Sequence, residues 1–231
     1  RKRGSDGTRE VADIVLLDDN FTTIVAAVAE GRSIYENILK FIGFFLSTDL
    51  ALTLLVVGGL GASYLFDIRD VQGSIMLPLT AVQLLWINVV ADGPAALALT
   101  LDRNPGLMRL PPRRVGSSLL SHGMLTFILV SGLTKAAIGL ALFVFLPRAG
   151  VSLAETQTAV FLYETVAQLI FAYPVRHLHV EPLRNVWLHV AVLGGIALQL
   201  FIIAFDPARS FLGLDGLSQN SLMIIVAGLA M

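Results

Sequence analysis

The sequence has no cysteine among its 231 residues, which excludes a disulfide framework, cysteine-ligated zinc, iron–sulfur clusters and thiol catalysis. Charge is scarce as well: 14% of the residues are Asp, Glu, Lys or Arg, where a soluble domain carries about a quarter. Neither sign is in excess, with 16 Lys and Arg against 17 Asp and Glu, so there is no basic surplus for nucleic acid. The basic start is not followed directly by an apolar run and does not read as a signal peptide. No internal repeat or low-complexity tract is evident. What is abundant is apolar: 55% of the residues are hydrophobic, and the mean hydropathy is +0.77. That balance makes a lipid bilayer the main solvent.

Charges gather in residues 1–40, where Arg1, Lys2, Arg3, Arg9, Arg32 and Lys40 alternate with acids. From Phe41 the apolar residues are nearly continuous. A helix needs roughly 20 apolar residues to cross a bilayer, which places spans at about 36–60, 77–100, 122–146, 157–174 and 187–205. A sixth starts near Ser221, and its 11 residues to Met231 would cover only about 17 Å, so it reads as cut short. The expected fold class is an all-α polytopic membrane protein of about six helices, preceded by a short α/β remnant of a cytoplasmic domain. Ala12–Leu17 has the pattern of a short buried strand, Asn20 or Asp19 suits a helix N-cap, and Thr22–Ala29 is a helical run. The division falls at residues 1–33 for the soluble end and stalk and 34–231 for the bundle. No proline separates Glu36 from the first span, so one helix can run from water into lipid as a mechanical stalk. Lys and Arg are concentrated before the first span and in the loops with Arg103, Arg109, Arg113 and Arg114 and with Arg176 and Arg184. This asymmetry puts that side, and the N-terminal end, in the cytoplasm.

Ionisable groups within a span are costly and mark function by default. Four stand out: Asp49, Asp92, Lys135 and Glu164, one in each of the first four spans. Asn88 precedes Asp92 by one helical turn, and Gly93 and Pro94 follow it. Pro94 has no N–H and disfavours helix before it, so the turn is expected to loosen and free carbonyls beside an amide and a carboxylate. Broken helices of this kind hold cations in transporters, and an all-oxygen donor set suits hard cations such as calcium, magnesium, manganese or sodium. The blander alternatives are helix-to-helix hydrogen bonding by Asn88 and Asp92, a protonated structural Asp49, and a structural Lys135–Glu164 ion pair. His177 and His179 read as loop surface, and His122 and His189 as interfacial.

Two stretches resemble a known family. The segment GSDGTREVADIVLLDDNFTTIVAAVAEGRSIYENILKFI is similar to the end of the phosphorylation domain and the stalk helix of P-type ATPases. LTAVQLLWINVVADGPAALALTLD, with PPRR at 111–114, resembles their sixth transmembrane helix and the loop after it, in the calcium-pump branch. The resemblance implies that these spans are helices five to ten of such a pump. It also implies that the phosphorylated aspartate, the ATP and magnesium sites and helices one to four lie upstream, so this chain alone is expected to be inactive. Asn88 and Asp92 match the sixth-helix ligands, Glu164 the eighth-helix acid, and Asp49 the position of a fifth-helix Asn. Leu52 and Ala91 stand where two-site calcium pumps have Glu and Thr, a pattern similar to one-site pumps.

The implied function is the membrane part of an ATP-driven pump for a hard cation, calcium with manganese as a possible second cargo. Its metal residues are Asn88, Asp92, Asp49 and Glu164, and its partners are the bilayer, the cation and the upstream part of the pump. Rivals are a pump of the same family for sodium, potassium or protons, with Lys135 as a tethered cation, and a secondary transporter or channel subunit.

Overall fold

The computed structural model describes residues 7, 10–13, 15, 20–70, 72–104, 106–111, 119–176 and 185–230. Helix α1 runs from Phe21 to Leu65, 45 residues and about 68 Å of uninterrupted rod. It starts where an N-cap was expected: the Asn20 side chain accepts the Thr22 N–H at 3.1 Å, satisfying one of the orphan donors of the first turn. The strand expected over Ala12–Leu17 is not formed at Ala12, Asp13 or Val15, and its other residues lie outside those described. Among the described residues the only β-pairing is a single bridge between Arg69 and Ile75, so the α/β part of the expected fold class is corrected to all-helical. A lone strand has no neighbour to take up its N–H and C=O groups.

Helix α2 (Ala81–Trp86) opens with a reciprocal cap, Gln83 N–H to Thr80 Oγ1 at 3.3 Å and Thr80 N–H to Gln83 Oε1 at 3.0 Å. A wider π-helical turn over Ile87–Asp92 follows, and α3 (Gly93–Thr100) completes the span. The physical cause is Pro94. Its ring excludes the carbonyl four residues back and it offers no N–H, and widening the turn accommodates both. The remaining helices are α4 (His122–Arg148), α5 (Leu153–Phe171), α6 (Val186–Ala204), the short α7 (Asp206–Phe211) and α8 (Gln219–Ala230). Five segments are long and apolar enough to cross a membrane, in the five places expected, and α8 is a shorter apolar helix where the sixth begins. The protein is an integral, multi-pass membrane protein.

The bundle is organised around α5. Its most apolar window is 78% buried, against 22% for α6, so α5 is the inner helix and α6 a peripheral one. Phe161, Tyr163 and Leu169 of α5 pack with Leu55 and Phe44 of α1 and Phe143 of α4 in two contiguous apolar clusters. Glycines allow α1, α4 and α5 to close up. A methyl group added at Gly132 would lie 2.8 Å from Leu50, and one at Gly139 would lie 2.5 Å from Glu164 Oε1. At the Gly58-Gly59 pair both positions are tight, against Leu140 and Pro78; of Gly194 and Gly195 only the second is, against Leu169.

Candidate functional site

Asp92 ends the π turn and is fully buried. Asn88, four residues earlier, is exposed on the outside of the described bundle. The two therefore differ in surroundings, although a regular helix would have stacked them. Asp49 of α1 is likewise exposed. Around the Asp92 carboxylate lie Lys135, Asp49 and Thr48, brought in by α4 and α1. Thr48 is itself buried, with its hydroxyl against the Phe44 and Phe45 carbonyls at 3.1 and 3.0 Å.

Helix α5 supplies the rest of the site. Glu164 is fully buried, and neither of its carboxylate oxygens has a hydrogen-bond partner among the described residues. It faces Lys135 and Asp92. Lys135 is 7% exposed, has no hydrogen-bond partner among the described residues and forms no ion pair there. Its Nζ rests 4.0 Å from the centre of the Phe171 ring, a cation–π contact that replaces part of its lost hydration. The Lys135–Glu164 ion pair weighed from the sequence is thus a facing arrangement rather than a closed bridge. Next to it, a cleft of about 310 Å³ is lined by Ser131, Lys135, Tyr163, Phe171 and Gly228. Ser131 also meets Ser47 across α1 and α4, at 2.8 Å.

Sequence reasoning missed Gln168. It is fully buried one turn beyond Glu164 on the same face of α5. With its amide nitrogen toward Asp92, it donates to both carboxylate oxygens, at 2.9 and 2.7 Å. The available signal was its i+4 spacing from Glu164 in a span with few polar groups. No group of three or more His, Asp or Glu side chains among the described residues converges closely enough to hold a metal ion by itself. Asp49, Asp92 and Glu164 surround the site without closing a cage.

A second buried charge cluster lies at the Lys40 end of the bundle. The Asp102 carboxylate accepts from Lys40 Nζ at 2.8 Å, Arg176 Nη2 at 2.8 Å and Asn185 Nδ2 at 2.8 Å. Its backbone carbonyl accepts from Asn37 Nδ2, also at 2.8 Å. Arg32 donates to the Leu107 and Leu110 carbonyls at 2.9 Å each, so two turns of α1 grip the chain that leaves α3. Burial raises the Asp102 carboxyl, but the hydrogen bonds from Arg176, Lys40 and Asn185 outweigh it and hold the group below the usual carboxylate range.

The family model described as cation transporting ATPase, C-terminus, matches residues 76–231. The chain belongs to this family. As a C-terminal region of a cation-transporting ATPase, it is 32% identical over 229 aligned residues to the calcium-transporting ATPase of Bacillus subtilis (strain 168). It is also 32% identical, over 238 aligned residues, to calcium-transporting ATPase type 2C member 2 of Mus musculus. The human type 2C member 1 is similar at the same identity over 229 residues. These alignments cover 96%, 98% and 96% of the chain and 24% of each relative, so this ATPase region spans about a quarter of their length.

Proposed function

We propose that the intact protein is an ATP-driven pump that carries a hard cation, calcium, across the membrane, and that this region holds its cargo site. The observation that carries the proposal is Asp92: a fully buried carboxylate at the end of a π turn beside Pro94, in the middle of a bilayer-spanning segment. Hydrocarbon makes such a group too costly to keep without use. The calcium-transporting relatives support the choice of cargo. Calcium takes six to eight oxygens, and Asp92, Asp49 and Asn88 provide some of them. Asp49 and Asn88 are exposed on the described bundle, where the upstream helices of the pump complete the shell. ATP and magnesium act in domains upstream, and the Arg32–Lys40 end of α1 faces the cytoplasm.

One cation per cycle follows from charge. Asp92 and Glu164 face one ammonium, Lys135, and Asp49 lies near Asp92, so three carboxylates and one ammonium leave two negative charges in excess. A single calcium or manganese ion cancels that excess; a second would leave the site positive. Glu164 is in this scheme the partner of Lys135 more than a ligand of the cargo. Coupling runs along α1. Movement of its cytoplasmic half pulls on Asp102 through Lys40, and Asp102 lies on the chain leaving α3, one helix from the π turn. A turn already widened by Pro94 is the element that yields first, and displacing Asp92 lowers affinity for release on the far side.

The test is Asp92→Ala in the intact pump. Calcium-dependent phosphorylation by ATP is expected to disappear, and normal phosphorylation in a folded variant excludes the assignment.

A further inference from the structure

The least expected contact in the bundle is a neutral one. Gln168 and Asp92 are both fully buried, on α5 and at the π turn, and with its amide nitrogen turned toward Asp92, Gln168 donates to the two carboxylate oxygens at 2.9 and 2.7 Å. Both amide hydrogens are spent on one carboxylate, which is the most an amide can give. With the amide reversed, its oxygen would face the same carboxylate oxygens, lone pairs against lone pairs. Asp92 alone among the three carboxylates of the site has such a partner: Glu164 has none among the described residues, and Asp49 is exposed. Lys135 adds charge but no hydrogen bond.

We propose that Gln168 is a further residue of the cation site: it holds the Asp92 carboxylate between cations, and turns its carbonyl oxygen to the cation when one binds. This rests on the cation site proposed above. An amide suits both tasks because one half-turn of its plane exchanges two donors for a hard oxygen acceptor, without moving a charge or the backbone. A buried carboxylate with no donor would be expensive to keep between cations, and one held by a fixed cation would bind cargo poorly. Gln168 avoids both. Its place on the inner helix, one turn from Glu164, holds it in position while the π turn carries Asp92 through the cycle.

The experiment compares Gln168→Leu, Gln168→Met and Gln168→Asn with the unaltered intact pump, reading phosphorylation by ATP against free calcium. Leu and Met remove both the donors and the carbonyl, and the half-saturating calcium concentration is expected to rise about tenfold or more, the equivalent of one good hydrogen bond to a charged group. The level reached at saturating calcium should fall by less than the affinity does. Asn keeps the amide one methylene short and should give an intermediate shift. A role confined to packing predicts lower thermal stability in detergent with unchanged calcium half-saturation; that outcome overturns the proposal. Should Leu and Met fail to fold, Asn decides: unchanged half-saturation in it overturns the proposal equally. Asp92→Ala, run alongside, separates the levels. If it retains calcium dependence, the site itself is misplaced; if it loses it while the Gln168 variants titrate normally, only the role of Gln168 fails.

Discussion

Lys40 Nζ and Asp102 Oδ2 lie 2.8 Å apart, both side chains are almost fully buried, and 62 positions of sequence separate them. The bridge joins the long α1 rod to the chain leaving α3, and Arg176 and Asn185 close it from the end of α5 and the start of α6. Four segments thus meet on one carboxylate. Every donor aimed at it is at hydrogen-bond distance, the condition under which a buried charge cluster can hold a fixed geometry.

Breaking this clasp should uncouple the pump as well as weaken it. Asp102→Asn leaves Lys40 and Arg176 buried without their counter-charge, at a cost of about 3–5 kcal/mol. Lys40→Met leaves Asp102 still bound by Arg176 and should cost less. If coupling runs through this contact, Lys40→Met retains calcium-dependent phosphorylation while transport per ATP falls. Unchanged transport per ATP in that variant removes the clasp from the coupling path.

The same carboxylate predicts a pH dependence. Asp102 sits below the ordinary carboxylate range in the folded state, so its contribution to stability is complete above the unfolded value of about 3.9. It is lost as the pH falls from there through the lower folded value. Thermal unfolding in detergent between pH 6 and the acid limit (about 2) should show wild-type stability declining below about pH 4. In Asp102→Asn that component of the decline should be missing. Parallel curves for the two proteins would contradict the assignment.

Lys135 predicts stoichiometry. With its charge set among Asp92 and Glu164, the intact pump should move one calcium ion per ATP. Two ions per ATP in the wild type would refute the charge-counting argument. Lys135→Met, which removes the ammonium and keeps most of the volume, should alter that ratio or the calcium affinity; a variant identical to wild type in both would show that the lysine is spectator to transport.

Close packing gives a stability test that does not involve transport. At Gly139 a methyl group would meet the buried Glu164 Oε1 at 2.5 Å, whereas at Gly194 it would meet nothing within 4 Å. Gly139→Ala should cost about 1–3 kcal/mol through overpacking. Gly194→Ala should be neutral or slightly stabilising, since alanine is the better helix former. Equal melting temperatures for the two variants would mean that α4 and α5 can move apart freely.

Much of this molecule is readable in one dimension because a bilayer imposes a simple rule on a sequence. Runs of apolar residues long enough to cross must be helices, since lipid offers no partner to an unpaired backbone group, and the five long segments stand where hydropathy places them. The Asn20 cap and the disturbance at Pro94 were legible for a similar reason: each is a local steric or hydrogen-bonding effect that needs no knowledge of distant residues. The expected strand at Ala12–Leu17 was of another kind. A strand is defined by its neighbour, and pattern alone does not supply one.

What tertiary structure alone decided is which polar groups meet. Hydropathy marks Asp49, Asp92, Lys135 and Glu164 as costly, and it treats all four alike. Folding distinguishes them: Asp92 is buried against Gln168, Glu164 is buried without a hydrogen-bond partner among the described residues, Lys135 rests on Phe171, and Asp49 is exposed. Asn88 is exposed and Asp92 fully buried although their spacing suggests a shared face. Lys40 and Asp102, ordinary members of charged segments by sequence, become a buried ion pair that Arg176 and Asn185 also close on. The physical reason is range. Solvation and helix formation act on neighbours in the chain, whereas an ion pair such as Lys40–Asp102, 62 residues apart, depends on how the helices pack, and the close approach of α1, α4 and α5 is set by glycines on α1 and α4.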